Sequence, residues 1–403
     1  MSLPLSSVAP RSNNVERRLR IAVLNRTFST MGGGAERYSI ALVEQLAARH
    51  EIHVFAQEID HQWPGVTYHR VSAPLQKPRW VNQLWFAGCT WWTTRQGFDV
   101  VHSHENTWHG DVQTVHVLPV KYNLFRGRSG CNRAMRWLKV VTSPRLLTYL
   151  GLEWMRYAAQ PGRRIVVTSD SLKAIMSSNY PGCSEMLSVI TPGITMPHFT
   201  VTVQRKAKAR ALLGLPVIGW CLLFVANDYR KKGLQPLLEA LSQLPEDVLL
   251  AVVGNSAQIS LFSRQVKTLK LDQRVFFLGS LKDLEPAYEA ADCLAHPTLE
   301  DTFAMVVMEA MSYGLPVVVS GPRYCGIAGL LLDGINAVII DEPKDAFRLY
   351  SILEQILNQP ALQKQLSQGA TAFAKLYEWR NIALKQETLY FSVFAGKNTV
   401  ITQ

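Results

Sequence analysis

Between residues 220 and 320, short apolar runs take turns with helical stretches, and that alternation restricts the chain to few folds. Strand-like segments at 220–225, 248–253, 275–278, 293–296 and 316–320 are interleaved with helical patterns at 234–243, 256–269, 284–291 and 304–313. Strands rich in Val, Leu and Phe without polar alternation are buried on both faces, which calls for a parallel sheet covered by helices on each side. A first series precedes it: a strand at 20–25, a glycine cluster, a helical pattern at 35–49 and a strand at 51–56 form a βαβ unit. Short buried strands at 100–103, 114–117, 164–168 and 187–191 continue that series, and 196–216 reads as a basic, proline-bounded link. With 403 residues the chain exceeds what one core fills, so two α/β halves facing a cleft are expected. The stretch from 346 to about 396 is helical and amphipathic, and 379–394 is long enough to cross back onto the first half.

At 48% hydrophobic and 18% charged residues the chain is an ordinary folded one. Six scattered cysteines (Cys89, Cys131, Cys183, Cys221, Cys293, Cys325) with no C-x-x-C pair argue against a disulfide framework and a structural zinc site. A reducing cytoplasm is the expected home. The polar stretch 3–14 lacks the charged-then-apolar pattern of a secretory signal, and residues 1–18 are expected to be disordered. No apolar run of membrane-spanning length occurs.

Charge is uneven. Residues 1–200 hold 22 Lys+Arg against 12 Asp+Glu, whereas residues 201–403 hold 20 against 19. Between Lys121 and Arg164 ten cations face the single acid Glu153, interleaved with Trp137, Leu138, Leu147, Trp154 and Tyr157. Such a pattern reads as a surface for an anionic partner, a membrane leaflet before a nucleic acid, with a solvated helix face as the plain alternative. Trp80, Trp85, Phe86, Trp91 and Trp92 form a second aromatic cluster, about half of it expected in the core.

Chemistry concentrates in 297–320. A strand ends near His296, a loop carries Glu300 and Asp301, and a helix is expected to open near Thr302 with Asp301 or Thr302 as its N-cap. Free amides from about Phe303 to Val306 would then face phosphate, which the helix dipole favours. Glu309, two turns in, offers a carboxylate to a ribose diol. A capped helix with a stray acid at each end is an equal reading of the same residues. After the strand 220–225, Arg230, Lys231 and Lys232 sit at the sheet edge where such folds bind ligands and where cations stabilise a leaving diphosphate. His116 alone reads more readily as a core histidine. His102, His104 and His109 around Glu105 invite a metal reading that lacks a distant ligand. Gly32 to Arg37 does not complete G-x-G-x-x-G, so a dinucleotide oxidoreductase is disfavoured.

The stretch D-T-F-A-M-V-V-M-E-A-M-S-Y-G-L-P-V-V (301–318) resembles the E-x7-E motif of the retaining GT-B glycosyltransferases of family 4, with Asp301 in place of the first Glu. F-V-A-N-D-Y-R-K-K-G-L (224–234) is similar to that family's Lys-Gly donor loop, most like members that glycosylate the lipopolysaccharide core, with Asn227 where many carry Arg. M-G-G-G-A-E-R (31–37), T-V-H (114–116), V-V-T-S-D-S (166–171), I-T-P-G-I (190–194), F-L-G (277–279), Y-C-G-I-A (324–328) and D-G-I-N-A (333–337) extend the likeness over about 20–340.

The resemblance implies a GT-B architecture: a Rossmann-like acceptor-side domain (1–199), a donor domain (200–378) and a C-terminal helix (379–403) returning to the first. It implies Glu309 on the ribose, Asp301 on the donor sugar and Lys232 with Lys231 and Arg230 on the diphosphate. Amides of Thr302, Phe303, Ala304, Met305 and Val306 would join them. Gly33 and Gly34 would allow close approach, His116 would stand at the reacting centre, and the loop from Gly279 would touch the base. The implied activity is retaining hexosyl transfer from a nucleotide diphosphate sugar, without cofactor or divalent metal, to a lipid-linked, lipopolysaccharide or polysaccharide acceptor. Peripheral contact with the anionic cytoplasmic face of the inner membrane, and no nucleic acid, completes the expectation. A GT-B sugar-nucleotide epimerase and a catalytically dead glycan-binding or membrane scaffold protein are the alternatives.

Overall fold

Chain order fixes two separate sheets. The first half contributes β1 (Arg20–Leu24), β2 (Thr27–Phe28), β3 (Glu51–Ala56), β4 (Glu58–Ile59), β5 (Val66–Arg70), β6 (Val100–Ser103), β7 (Val112–Val115), β8 (Arg164–Val167) and β9 (Leu187–Val189). Seven of them form a parallel sheet in the order β5-β3-β1-β6-β7-β8-β9, while β2 and β4 pair apart from it. The second half contributes β10 (Trp220–Ala226), β11 (Val248–Gly254), β12 (Val275–Gly279), β13 (Cys293–His296), β14 (Val317–Ser320) and β15 (Val338–Ile340), ordered β12-β11-β10-β13-β14-β15 and again parallel. The computed structural model describes residues 17–29, 33–75 and 77–401, without the side chains of 398–401. The expected parallel α/β halves are therefore present as a GT-B arrangement.

Both sheets are sandwiched by helices, as the unbroken apolar strands require. β10 and β11 are buried along nearly their whole length, with Leu222 and Leu223 fully buried on opposite faces in two cores. Strand order reverses beside β1 in the first sheet and beside β10 in the second, so the loops after β1, β10 and β13 open at crevices where ligands of such sheets bind. β5 and β15 were not anticipated. Both are edge strands: the V-T-Y-H-R of β5 gives no apolar run, and the V-I-I of β15 is apolar but only three residues long.

The link between halves is crossed twice. Ile194 N donates to Tyr377 O (2.8 Å) and Trp379 N donates to Ile194 O (3.1 Å). Gly193 allows this crossing, since a Cβ there would stand 2.6 Å from the Trp379 ring. The helix Trp379–Ile401 then packs on the helix Gly34–Leu46, with Ile382, Ala383, Tyr390 and Val393 in the first core. Each large apolar side chain so buried stabilises the return by roughly 1.5–3 kcal/mol. Polar ties fix its register: Arg49 donates to Glu387 (2.7 Å) and Lys397 meets Asp111 (2.5 Å).

Residues 1–16, which include the stretch 3–14, and residues 31–32 of the glycine motif lie outside the described residues. Arg17 and Arg18, expected to be disordered, are placed: Arg17 lies 3.6 Å from Asp99 and over the Phe394 ring. Among the described residues no helix is long and apolar enough to cross a membrane.

Candidate active site: a cleft between the two sheets

A cleft of about 920 Å³ separates the halves. Gly34, Arg37 and Tyr38 line it from the first half, and Asn227, Gly254, the loop 280–285, Met305, Val306 and Glu309 line it from the second. Glu309 therefore shares one cavity with the start of its own helix and with the loop after β12. A second cavity of about 720 Å³, lined by the link 196–201 and the helix Pro360–Leu376, takes only the far end of the motif, Ser312 to Pro316, and holds neither Glu309 nor the helix start.

The helix that carries Glu309 begins later than the sequence indicates. It spans Met305–Ser312, and Ala304 precedes it with φ 72°, a left-handed conformation that L-alanine seldom adopts. Asp301 is the cause. Its Oδ1 accepts from the amides of Phe303 (3.2 Å) and Ala304 (2.9 Å), winding the chain into a side-chain-capped turn before helix can form. Asp301 and Thr302 are thus not the N-cap, and of the amides expected to be free, those of Phe303 and Ala304 are taken. Met305 and Val306 remain at the cleft wall, where a first turn has unpaired N–H groups.

Asp301 Oδ2 meets Lys232 Nζ at 2.5 Å, and His296 Nε2 is 3.4 Å away. Burial alone would raise this carboxyl's pKa, but the His296 ring and the Lys232 charge outweigh it and hold it well below the usual carboxylate range. Lys232 also donates to Glu300 O (2.8 Å). Lys232 is partly buried, whereas Arg230 and Lys231 are exposed, with Lys231 Nζ 3.8 Å from Glu300. Gly233 makes the loop possible: at φ 81° a Cβ would lie 2.0 Å from Pro297 O.

Glu309 has two partners. Tyr288 Oη donates to Oε2 (2.6 Å), and Arg37 of the first half reaches Oε1 (3.4 Å). Burial and the Glu309 charge keep Tyr288 protonated, its pKa well above the ordinary value. Gly279 does not line the cleft, but Ser280 does, and its hydroxyl donates to Gly254 O (3.0 Å). Gly34 lines the cleft with nothing within 4 Å of a Cβ built on it, so the space it leaves opens to the cavity rather than to protein. Gly33 is the N-cap of its helix.

His116 follows β7. Its Nε2 meets His104 Nδ1 at 3.0 Å and its ring lies edge-on to Tyr38, a residue of the cleft lining. Burial, then the Arg156 guanidinium, push it down to about 3, so the ring is neutral. His102 spends both nitrogens on Tyr390 (2.5 Å) and Thr114 (2.7 Å), which leaves the three clustered rings as a buried hydrogen-bonded stack. Tyr38 Oη, also buried, has no partner.

Sequence reasoning missed Arg37, Tyr38, Gly254, Tyr288 and Trp379, all of which line the cleft. Gly254 had a signal, a glycine ending an apolar strand. Its φ of 137° and a Cβ clash at 1.7 Å from Ala226 O explain it.

On the first half, the aromatic cluster divides unevenly. Phe86 is fully buried, while Trp85, Trp91 and Trp92 are exposed, so fewer enter the core than expected. In the basic stretch Trp137, Leu138, Leu147 and Trp154 are exposed. Arg156 and Arg163 are buried and bonded internally. Glu153 is buried as well: it accepts from the amides of Val120 (2.7 Å) and Lys121 (3.0 Å) and from Tyr180 Oη (2.6 Å). Exposed Arg128, Arg133, Lys139 and Arg145 share that surface with no acid from their own stretch.

Comparisons with known proteins agree with this geometry. Residues 32–196 match Glycosyltransferase Family 4 and residues 206–373 match Glycosyl transferases group 1. The D-inositol 3-phosphate glycosyltransferase of Corynebacterium diphtheriae is 29% identical over 53% of this chain and 52% of its own. The lipopolysaccharide glucosyltransferase WaaG of Escherichia coli K12 is 26% identical over 56% of this chain and 61% of its own. The chain thus spans a little over half the length of these relatives. The crystal structure of WaaG superposes with a TM-score of 0.74 at 22% identity, covering 91% of this chain and 98% of that one. HepE of Anabaena, in complex with UDP and glucose, superposes at 0.71 with 19% identity, covering 92% and 99%. With both halves matched and the two-sheet cleft in place, the chain belongs to the GT-B glycosyltransferases, a family 4 domain followed by a group 1 domain.

Proposed function

We propose that the protein transfers a hexose from a nucleotide diphosphate sugar to a hydroxyl of a lipid-linked, lipopolysaccharide or polysaccharide acceptor, with retention at the anomeric carbon. One observation carries the reading: Glu309, the Met305–Val306 helix start and the loop 280–285 face a single cleft. In this arrangement the base lies along 280–285 and the ribose diol on Glu309. The diphosphate lies against the helix start, and the hexose points toward Gly34, Tyr38 and His116.

The bond between the anomeric carbon and the diphosphate oxygen breaks as the acceptor oxygen bonds to the same face. The acceptor proton passes to the departing phosphate oxygen. Lys232, released from or shared with Asp301, and the helix dipole stabilise the charge that grows on that phosphate. Neutral His116 serves as a hydrogen-bonding group rather than a proton store. Positive charge from Lys232 fills the place a divalent metal takes in other designs, so the reading requires none.

The exposed Trp and Leu residues among uncompensated Arg and Lys support an amphiphilic acceptor and peripheral binding to the anionic cytoplasmic leaflet of the inner membrane. A free sugar-nucleotide epimerase or an inert scaffold has no use for both this face and the cleft. The reading is tested by nucleoside diphosphate release from a panel of UDP- and GDP-hexoses. Wild-type protein releases one of the two, and Glu309→Ala abolishes release. Release at the wild-type rate by Glu309→Ala overturns the assignment.

A further inference from the structure

Contacts from several elements tie the donor-half loop 298–304 to the first half. Thr302 Oγ1 donates to His116 O (3.1 Å), and Ser169 Oγ donates to Thr302 O (2.8 Å). Arg126 meets Glu300 at 2.5 Å on the rim. His116 follows β7 and Ser169 follows β8, so Thr302 is wedged between the ends of two neighbouring strands of the opposite sheet. The fit is close. Gly326 backs the wedge, and a Cβ there would stand 2.0 Å from Thr302 O and 2.7 Å from Ser169 Oγ.

The motif places Thr302 among the diphosphate ligands, yet its hydroxyl is spent on the other half. Its neighbour Asp301 holds Lys232. We infer that Thr302 is a positioning residue: it pins the donor half to the acceptor half and so sets the His116 turn and the Asp301–Lys232 pair in register across the cleft. The inference rests on the function proposed above for the meaning of that register, while the pinning itself stands on the contacts alone. Reacting groups supplied by two separate bodies gain rate only when held within about half an ångström of productive geometry. A hydroxyl-to-carbonyl bond between the bodies has that effect without touching the ligand.

Thr302→Val keeps the side-chain volume and deletes the hydrogen bond. Its kcat is expected to fall roughly three- to tenfold, the range one net hydrogen bond supports. The calorimetric Kd for UDP or GDP stays within twofold, and the radius of gyration in solution scattering increases. Thr302→Ser restores all three values toward wild type. Arg126→Gln, which cuts the separate rim contact, moves kcat and radius in the same direction by less. Unchanged kcat and radius in Thr302→Val overturn the inference. So does a weakened nucleotide Kd with unchanged kcat at saturation, which would make Thr302 a donor ligand. The scattering comparison needs no substrate, so it judges the pinning even in a protein that releases no nucleotide.

Discussion

The two halves share an architecture and differ in how they use charge. In the second half 20 cations nearly balance 19 acids, and several pair within it: Lys206 and Arg210 on Asp292, Arg205 on Glu289, Lys232 on Asp301. In the first half 22 meet 12, and the lone acid of the stretch 121–164 is buried under amides and a tyrosine. One half holds the Lys232–Asp301 and Tyr288–Glu309 pairs on its cleft side. The other is a broad face of exposed tryptophan and uncompensated cation. The contrast teaches that a doubly wound sheet supplies crevices in both halves, while the side chains set around each sheet, aimed pairs or exposed tryptophan and cation, govern what it can bind.

The sharpest break between the halves is chemical. Lys232→Ala is expected to lower kcat by about 100- to 1,000-fold, the scale of a preorganised charge at a leaving group. Binding to anionic vesicles should be unaffected. Initial rates at saturating donor, with vesicle flotation alongside, check both statements.

Two glycines separate structure from ligand approach. Gly254→Ala drives a Cβ into Ala226 O and should cost about 3–5 kcal/mol in urea unfolding, as backbone clashes at special conformations do. Gly34→Ala meets no protein atom within 4 Å, so its stability should hold while the KM for donor rises.

Acid should strike the first half first. His102 and His116 are pushed down to about 3, His109 to about 4 and His104 well below the ordinary value, each by burial first, while His296 is the shifted histidine of the second half. The unfolded chain binds more protons between about pH 6.5 and the folded values, so stability falls as pH drops through that window. The slope is up to ~1.4 kcal/mol per pH unit per ring. Asp301, lowered by His296 and Lys232 against its burial, adds its loss below about pH 4. Hydrogen exchange at pH 7 and pH 5 should show protection lost earlier around β6 and β7 than around β10, and His102→Gln should flatten the difference.

The smallest effect concerns the docking face. Replacing Trp85, Trp92 and Trp154 by Ser should weaken binding to anionic vesicles by roughly tenfold or more, given the apolar area these residues bring to an interface. The Kd for nucleotide should not change. Equal weakening of both would erase the proposed division between the halves.

Most second-half elements were legible within one or two residues, because strands buried on both faces leave unbroken apolar runs such as Trp220–Ala226 and Val248–Gly254. The edge strand Val66–Arg70 was not, since an edge tolerates V-T-Y-H-R with its half-exposed side chains. Glu309 was legible by its spacing from a helix start. That start was misplaced by three residues because the Asp301 carboxylate, held by Lys232 and His296 from other segments, captures the amides ahead of it. Arg37 showed only as the last residue of the glycine motif 31–37, with no role attached, and Tyr288 had no local signal. They matter only because Glu309 lies within reach, 272 and 21 residues away in sequence.

The sequence by itself determined the two α/β halves, the acid and the cations that a nucleotide sugar would need, and the charge imbalance between the halves. Periodicity and composition are local quantities, and they survive folding unchanged. Only the tertiary structure decided which of those charges are spent on one another, where the helix at Met305 truly opens, and that Thr302 faces the opposite sheet. Partner choice depends on distances between residues far apart in the chain, and no window of sequence contains them.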